Sequence, residues 1–322
     1  MAPTVPPDLR ELTGVPHGAT ARRLDWLLLP PVLRSRIERQ LGSRVVDAES
    51  AGSGFTPGFA SVLTGADGRR QFVKAASTKA QRPFADAYRE EIRKLQALPS
   101  GLPVPRLLWT YEDDLWVVLG LDYVEGRAPE RPWQVDDLHR CLDTLEELAE
   151  ALTPAPLSLR SFADDFAECL DGWKHLRRVA PHHPHLDEAE ALAQGYAEAT
   201  AGRTLVHTDA RDDNFLLPDP RAGGAVLCDW NWPVVGAAWI DSVLLLISAY
   251  GDGVDVETVL AGRTLTRDLD PAHVDTLLAL ICGYFMETRD RPVPTSSPYL
   301  RVHARWYSEV TWSWLARRQG WT

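Results

Sequence analysis

Hydrophobic and polar positions in the first 121 residues follow mainly the spacing of short β-strands. Five short segments are rich in apolar and β-branched residues, as strands are. These predicted strands span residues 44–50, 59–64, 71–75, 107–111 and 116–121. Asp67-Gly68 lies between the second and third segments and is a strong signal for a hairpin turn. The pattern therefore predicts a small β-rich region near the N-terminus.

Two helices are predicted to accompany these strands. The first runs from the Pro30-Pro31 pair to Gln40, with Gly42 after its end, because proline favours the first helical turn and glycine the position beyond the last. The second spans residues 84–98. Its apolar positions repeat at helical spacing: Ile92, Leu95 and Leu98.

Helical spacing dominates after residue 126. Leucines recur on one helical face at positions 138, 142, 145, 148 and 152. Further helices are predicted at residues 161–178 and 186–199, from Pro271 onward and at 298–318. Short strands interrupt them at residues 204–206, 214–217 and 225–228. The expected fold class is α+β with two lobes, and a cleft between two such lobes is a natural ligand site.

The domain organisation follows from this change of pattern. We predict an N-terminal arm and helix (1–43), an N-lobe (44–121), a connector (122–126) and a helical C-lobe (127–322).

Composition narrows the class of protein. The net charge of −11 argues against a nucleic-acid partner, which needs basic surface. No apolar run is long enough for a membrane span, and the four dispersed cysteines fit a reducing, cytoplasmic compartment. Only four of the 34 basic residues are lysines. Three of them (Lys79, Lys94 and Lys174) are interpreted as surface cations, whereas Lys74 lies within an apolar strand.

The richest polar motif is His207-Thr208-Asp209-Ala210-Arg211-Asp212-Asp213-Asn214, which follows a predicted strand. Asp229 follows another strand 20 residues after Asp209. Phosphoryl transfer needs a carboxylate near the acceptor hydroxyl and oxygen ligands for Mg²⁺, and these residues supply both. The alternative is a polar loop whose Asp and Asn side chains only cap turns. The placement of both segments after strands favours the functional interpretation.

These motifs resemble those of the aminoglycoside phosphotransferase family, which has a protein-kinase-like fold, over about residues 44–250. The resemblance implies that Asp209 is the catalytic carboxylate, that Asn214 and Asp229 hold magnesium, and that His207 braces the loop. The sequence departs from the family pattern at two places. Thr208 stands where the family usually has glycine, and residues 211–213 replace the usual His-Pro-Gly.

The same resemblance makes Lys74 the lysine that contacts the nucleotide phosphates. Its carboxylate partner is predicted on the following helix, where Glu91 lies near the apolar stripe and Glu90 lies toward solvent. The alternative for Lys74 is an edge-strand lysine whose ammonium reaches solvent.

Two further segments are assigned to the nucleotide. Ser53 and Gly54 belong to a glycine-rich segment that presents backbone N–H groups to phosphates or is a plain hairpin loop. Backbone groups of Asp122 and Val124 in the connector resemble the hinge that binds adenine. Tyr123 between them serves the same site or is a packing residue.

The acceptor site is the least defined part of the sequence. Asp212, Asp213 and Trp306 are the candidate substrate contacts: acids suit a cationic aminosugar, and a tryptophan face suits a nucleoside or macrolide. The alternatives are solvated acids and a core tryptophan. The histidines at positions 182, 183 and 185 form a polar loop or, less favoured, a metal site.

The predicted activity is O-phosphotransfer from ATP or GTP, with Mg²⁺, to a small-molecule hydroxyl, in a monomer or dimer. No long segment follows Asp229 to dock a protein substrate. An antibiotic is the leading acceptor, with resistance or self-protection as the outcome. The alternatives are a metabolic kinase for choline or a sugar, and a nucleotide-binding module without catalysis.

Overall fold

An antiparallel sheet of five strands forms the N-lobe of this computed structural model, which describes residues 23–52, 58–221, 223–295 and 297–321. The strands are β1 (Val45–Ser50), β2 (Phe59–Gly65), β3 (Arg70–Ser77), β4 (Leu107–Glu112) and β5 (Trp116–Asp122). Their order in the sheet is β1-β2-β3-β5-β4, so β3 is central. All five predicted strands are confirmed. The turn at Asp67-Gly68 joins β2 to β3, and Gly68 has a φ of 81°, in the region that glycine favours.

Two helices flank this sheet, and a short 3₁₀ turn (Trp26–Leu28) precedes the first of them in the chain. Helix α1 (Pro31–Leu41) begins at a proline and ends before Gly42, as predicted. Helix α2 (Arg82–Ala97) begins two residues earlier than predicted, because Pro83 suits its first turn. Its buried positions recur every three residues: Ala85, Tyr88, Glu91 and Lys94. Two charged side chains therefore lie on the buried face of α2, beside the partly buried Ile92 and Leu95.

The C-lobe consists mainly of helices. They are α3 (Val135–Ala151), α4 (Phe162–Asp165), α5 (Asp171–Val179), α6 (Leu186–Gln194), α7 (Tyr196–Ala199), α8 (Ile240–Gly251), α9 (Val256–Gly262), α10 (Pro271–Asp290) and α11 (Leu300–Gln319). The predicted leucine face of α3 is buried. Helices α10 and α11 pack side by side and carry much of the C-lobe core.

Two predictions of continuous helices are wrong. Residues 161–178 divide into α4, a 3₁₀ turn at Ala167–Leu170, and α5, because Phe166 leaves the helical conformation and its ring stacks on Phe162 at 4.0 Å between centroids. Residues 186–199 divide into α6 and α7 at Gly195, a residue of low helix propensity. The apolar spacing continues through both breaks, which is why periodicity did not reveal them.

Short strand pairs in the C-lobe position the loops that matter for function. Strand β6 (Thr204–Val206) pairs with β9 (Val234–Gly236), and β7 (Phe215–Leu216) pairs with β8 (Val226–Leu227). The predicted strand at 214–217 is shorter than expected, because Asn214 ends a 3₁₀ turn instead. The loop from His207 to Asn214 therefore joins β6 to β7, and Asp229 lies between β8 and β9.

The two lobes are in direct contact beside these loops. Leu95 and Leu98, at the end of α2, pack against the large C-lobe core, and Leu102 and Val104 follow them there. The N-lobe keeps its own smaller apolar clusters on the two faces of its sheet. None of the helices in the described ranges is both long enough and apolar enough to cross a membrane.

Candidate active site

A cleft with a cavity volume of about 330 Å³ lies between the sheet and the C-lobe loops. Six of the predicted site residues line it: Lys74, Asp122, Val124, Asp213, Asn214 and Asp229. Glu91 lies behind Lys74, and Asp209 lies beside Asn214. Ser53 and Gly54 lie outside the described residues. The cleft thus gathers side chains from β3, from the connector and from the loops that follow β6 and β8.

Lys74 is held between two carboxylates. Its Nζ lies 2.8 and 2.9 Å from the two carboxylate oxygens of Glu91 and 2.5 Å from Asp229 Oδ1. Burial works to lower the pKa of Lys74, but the charges of Asp229 and Glu91 outweigh it and raise this pKa above that of an ordinary lysine. The lysine is therefore a fixed cation inside the cleft. Glu90, as predicted, is half exposed and pairs with Arg93.

His207 ties the loop from His207 to Asn214 to the segment before Asp229. Its buried ring donates from Nε2 to the Cys228 carbonyl at 2.9 Å, while Nδ1 accepts from the Asp209 N–H at 3.3 Å. Burial lowers the pKa of His207, which fits the neutral ring that this pattern requires. The geometry matches a bracing residue with no free nitrogen for chemistry.

Asp241, at the start of α8, also holds this loop in place. Its two carboxylate oxygens accept the backbone N–H groups of His207 and Thr208, each at 2.7 Å. Thr208 has a φ of 66°, a left-handed conformation that is unfavourable for a β-branched residue. The family's usual glycine has no such cost, so the departure at this position is a strained one. The Asp241 contact and a 2.9 Å bond from Thr208 Oγ1 to the Trp232 carbonyl offset that strain.

Asp209 and Asn214 are joined directly. Asn214 Nδ2 donates to Asp209 Oδ2 at 3.0 Å and to the Asp209 carbonyl at 2.8 Å, so the amide oxygen of Asn214 points away from Asp209. Burial raises the pKa of Asp209 to about 6, against the opposing charge of Arg211. The carboxylate is therefore mainly ionised at neutral pH and can accept a hydrogen bond from a hydroxyl group.

The oxygens of Asn214 and Asp229 fit a magnesium ion that is shared with a nucleotide. Both residues line the cleft, and Mg²⁺ prefers one or two protein carboxylates or amides completed by phosphate oxygens. Within the described ranges, no group of three or more His, Cys, Asp or Glu side chains could hold a metal by itself. Lys74 lowers the pKa of Asp229 against the effect of burial, which keeps this carboxylate ionised.

The acids predicted to meet the acceptor are already paired with arginines. Asp213 receives two bonds from Arg211, at 3.1 and 3.2 Å. Asp212 accepts from Arg131 at 3.0 Å, and the same guanidinium binds both carboxylate oxygens of Asp252. Arg211 is shared as well, because its Nε lies 3.3 Å from Asp209 Oδ1. Asp212 and Asp213 are therefore ion-paired and not solvated carboxylates.

Trp306 is a core tryptophan, which was the alternative to its prediction as a substrate contact. Its side chain is 4% exposed, and the Arg131 guanidinium lies over its ring at 5.0 Å from the centroid. The predicted stacking face for a substrate is thus covered in this structure. The histidines at 182, 183 and 185 lie in a loop where two of the rings pack on Trp312 and Trp321.

The connector contributes backbone groups and a packing side chain to the cleft. The Asp122 N–H donates to the Arg106 carbonyl at 2.9 Å, and its carboxylate pairs with Arg106 Nε at 2.8 Å. The backbone N–H of Asp122 is therefore committed within the protein. Tyr123 lines the cleft and also packs against Arg70, whose guanidinium lies 3.9 Å from the ring centroid.

Two residues near the site were missed by sequence reasoning. The interpretation of Lys94 as a surface cation is wrong: it is 6% exposed and donates to the Asn231 carbonyl at 2.6 Å. Its signal was the same scarcity of lysine that singled out Lys74. Arg131 carried no signal, because it resembles the many other arginines in this chain.

Comparisons with known proteins agree with this architecture. Residues 52–277, more than two thirds of the chain, match the family model described as APH, phosphotransferase enzyme family. No curated protein sequence matches the chain. A structure of spectinomycin phosphotransferase with ADP and spectinomycin is similar at a TM-score of 0.60 and 11% identity, over 89% of this chain and 98% of that chain.

Two other solved structures are similar over nearly their whole length. Choline kinase LicA from Streptococcus pneumoniae aligns at a TM-score of 0.58 and 15% identity, over 89% of this chain and 98% of that one. A phosphotransferase in complex with GDP and kanamycin aligns at 0.57 and 16%, over 90% and 99%. At these identities the likeness establishes a shared kinase-like fold of two lobes.

Proposed function

The chain belongs to the phosphotransferase enzyme family, and from that premise we propose that it transfers the γ-phosphate of ATP or GTP to a hydroxyl group of a small molecule. The proposal rests on two contacting pairs of side chains that meet at one cleft. Lys74 contacts Asp229 across the lobes, and Asp209 contacts Asn214 at the floor. A cation, two metal-ligating oxygens and an ionised carboxylate are the parts that phosphoryl transfer needs.

Each residue has a distinct part in this mechanism. Lys74, oriented by Glu91, would neutralise charge on the nucleotide phosphates as a point cation. Asn214 and Asp229 would hold Mg²⁺, which supplies further charge neutralisation at the phosphates when bound. Asp209 would accept the hydrogen bond of the acceptor hydroxyl and so aim its oxygen at the γ-phosphate. Because transition states of this kind are loose, alignment and electrostatics contribute more than proton removal.

A small acceptor is favoured over a protein. Asp229 is followed by the short strand β9 and then by α8, which begins at Ile240. This short connection provides no extended segment on which a peptide could dock. Docking of a protein substrate would need such a surface beside Asp209.

An antibiotic hydroxyl is the leading acceptor, with resistance or self-protection in the cytoplasm as the outcome. The resemblance of the motifs to the aminoglycoside phosphotransferases supports it, and similar structures include a spectinomycin phosphotransferase and a phosphotransferase in complex with GDP and kanamycin. The second candidate is a metabolic alcohol such as choline, since a choline kinase shares the fold to a similar degree.

A screen of acceptors tests the proposal. Purified protein would be given Mg²⁺ and either ATP or GTP, and nucleotide consumption would be measured with aminoglycosides, spectinomycin, macrolides, nucleoside antibiotics, choline and sugars. We expect one class to raise consumption well above the acceptor-free rate, with a product heavier by one phosphate. Binding of nucleotide without consumption under any condition would instead identify a binding module.

A further inference from the structure

Two of the four lysines are buried in the same part of the molecule. Lys74 is 7% exposed and Lys94 is 6% exposed, whereas Lys79 and Lys174 lie at the surface. Taking an ammonium group out of water is costly unless it gains a partner. A chain that uses arginine for almost all its cations has therefore kept lysine at two positions where a compact, buried ammonium contacts a specific group.

The partner of Lys94 is the backbone just beyond Asp229. Lys94 Nζ donates to the Asn231 carbonyl at 2.6 Å, while the half-exposed Glu90 is 3.9 Å away. Lys94 lies on the same buried face of α2 as Glu91, one turn further along. Helix α2 thus reaches the segment around Asp229 twice, once through Glu91 and Lys74 and once through Lys94.

Asn231 passes this connection on to Asp229. It is 4% exposed, its Nδ2 donates to Asp229 Oδ1 at 2.7 Å, and its N–H donates to the Asp229 carbonyl at 2.9 Å. Asp229 has a φ of 68°, a conformation that residues other than glycine rarely adopt. Such a conformation persists only when neighbouring contacts impose it. Asn231 makes two such contacts in addition to that of Lys74, and Lys94 fixes the position of Asn231.

We propose that Lys94 is a positioning residue that holds the Asp229 carboxylate in place through Asn231. The inference rests on the proposed function, because that function assigns Asp229 to the metal. Lys74 lines the cleft, so incoming phosphate oxygens compete with Asp229 for its ammonium. Lys94 and Asn231 lie outside the cleft lining, and a nucleotide does not compete for their contact. The contact of Lys94 therefore persists when Lys74 turns to the phosphates.

Hydrogen exchange of the ligand-free protein is the first test. Lys94→Met removes the charge but keeps an unbranched side chain, and Lys174→Met is the control at an exposed lysine. We expect exchange of the amides around Asn231 to become about tenfold faster or more in Lys94→Met, the effect of losing one bond to a charged group. Exchange within α10 and the whole of Lys174→Met should match the wild type. Unchanged exchange around Asn231 would overturn the proposal.

Binding of ADP separates positioning from a general structural role. In calorimetry, Lys94→Met should need about 10- to 100-fold more Mg²⁺ to reach the affinity of the wild type, as expected when a group behind a metal ligand is removed. Affinity for ADP without Mg²⁺ should not change, because Lys74 still meets the phosphates. An equal loss with and without Mg²⁺ would contradict the proposal.

Asn231→Ala provides the second variant. It removes the side chain that binds Asp229 and should raise the Mg²⁺ requirement in the same way, with little added loss when combined with Lys94→Met. If Lys94→Met fails to fold, a normal Mg²⁺ requirement in Asn231→Ala overturns the proposal and a raised one supports it. A wild-type protein that does not bind ADP would contradict the proposed function, while the exchange test of Lys94 would still give its own answer.

Discussion

The nucleotide side of the cleft and the acceptor side differ in how their charges are paired. On the nucleotide side, one ammonium, that of Lys74, is shared between the carboxylates of Glu91 and Asp229. On the predicted acceptor side, Arg131 is shared between Asp212 and Asp252, and Arg211 is shared between Asp213 and Asp209. On the nucleotide side, Lys74 can exchange a carboxylate partner for a phosphate oxygen, and Asp229 can exchange Lys74 for a metal ion. The ion pairs of the acceptor side stay within the protein, because neither guanidinium lines the cleft.

Removing the Asp209 carboxylate should give the largest effect and separate the two sides. In Asp209→Ala, turnover should fall by about 10²–10⁴-fold, the usual contribution of a positioned acid–base group. Nucleotide affinity should stay close to that of the wild type, because Lys74, Glu91 and Asp229 are intact. Steady-state rates and ADP calorimetry check this, with the exposed Asp136→Asn as control. Near-normal turnover in Asp209→Ala would rule out the assigned role.

Removing the ammonium of Lys74 should disable the nucleotide side. In Lys74→Met we expect turnover to fall by about 10²–10³-fold, as when one charge-stabilising donor is lost. The protein should also lose about 3–5 kcal/mol of unfolding free energy, because Glu91 is left buried without its partner. The double variant Lys74→Met/Glu91→Leu should regain much of the stability and none of the turnover. Recovery of turnover in the double variant would show that Lys74 is only structural.

Removing Arg131 should act on stability instead. In Arg131→Met, the buried carboxylate of Asp252 loses a bidentate partner, and the free energy of unfolding should fall by about 3–5 kcal/mol. Affinity for ADP should not change, because Arg131 does not line the nucleotide cleft. Chemical denaturation measures the first and calorimetry the second. Arg267→Met, at an exposed pair, is the control and should change stability by no more than about 0.5 kcal/mol.

Thr208 should give the smallest effect. Thr208→Gly relieves about 1–2 kcal/mol of left-handed strain but loses one hydrogen bond worth about 1 kcal/mol, so stability should change little. Thr208→Ala loses the bond and keeps the strain, so it should be less stable than Thr208→Gly. Thermal unfolding of the two variants measures the difference. An alanine variant as stable as the glycine variant would contradict the account of this strained position.

The nucleotide side could largely be predicted from the sequence. The residues of the nucleotide side lie in short patterns: the loop from His207 to Asn214, Asp229 directly after a strand, and Lys74 in a strand that precedes a helix with Glu91. Each of these patterns is recognisable by itself, although Lys74 and Asp229 are 155 residues apart. The five N-lobe strands were predictable for the same reason, since each shows its own pattern.

The acceptor side could not be predicted because its ion pairs leave no recognisable pattern in the sequence. Arg131 and Asp252 are 121 residues apart, and nothing in their local sequence marks them as partners. Lys94 was misinterpreted because a buried lysine has the same polar signature as a surface one. The breaks at Phe166 and Gly195 escaped notice because the apolar spacing continues through both of them.

The fate of the γ-phosphate is the most direct test of whether the protein transfers it to a hydroxyl group with the help of Asp209. Wild-type protein and Asp209→Ala would each be incubated with Mg²⁺, nucleotide labelled at the γ-phosphate, and the acceptor that most raises consumption. We expect the wild type to move the label onto a hydroxyl of the acceptor. We expect Asp209→Ala to bind ADP normally but to leave the acceptor unlabelled. Label found only in inorganic phosphate, or equal labelling of the acceptor by both proteins, would contradict this expectation.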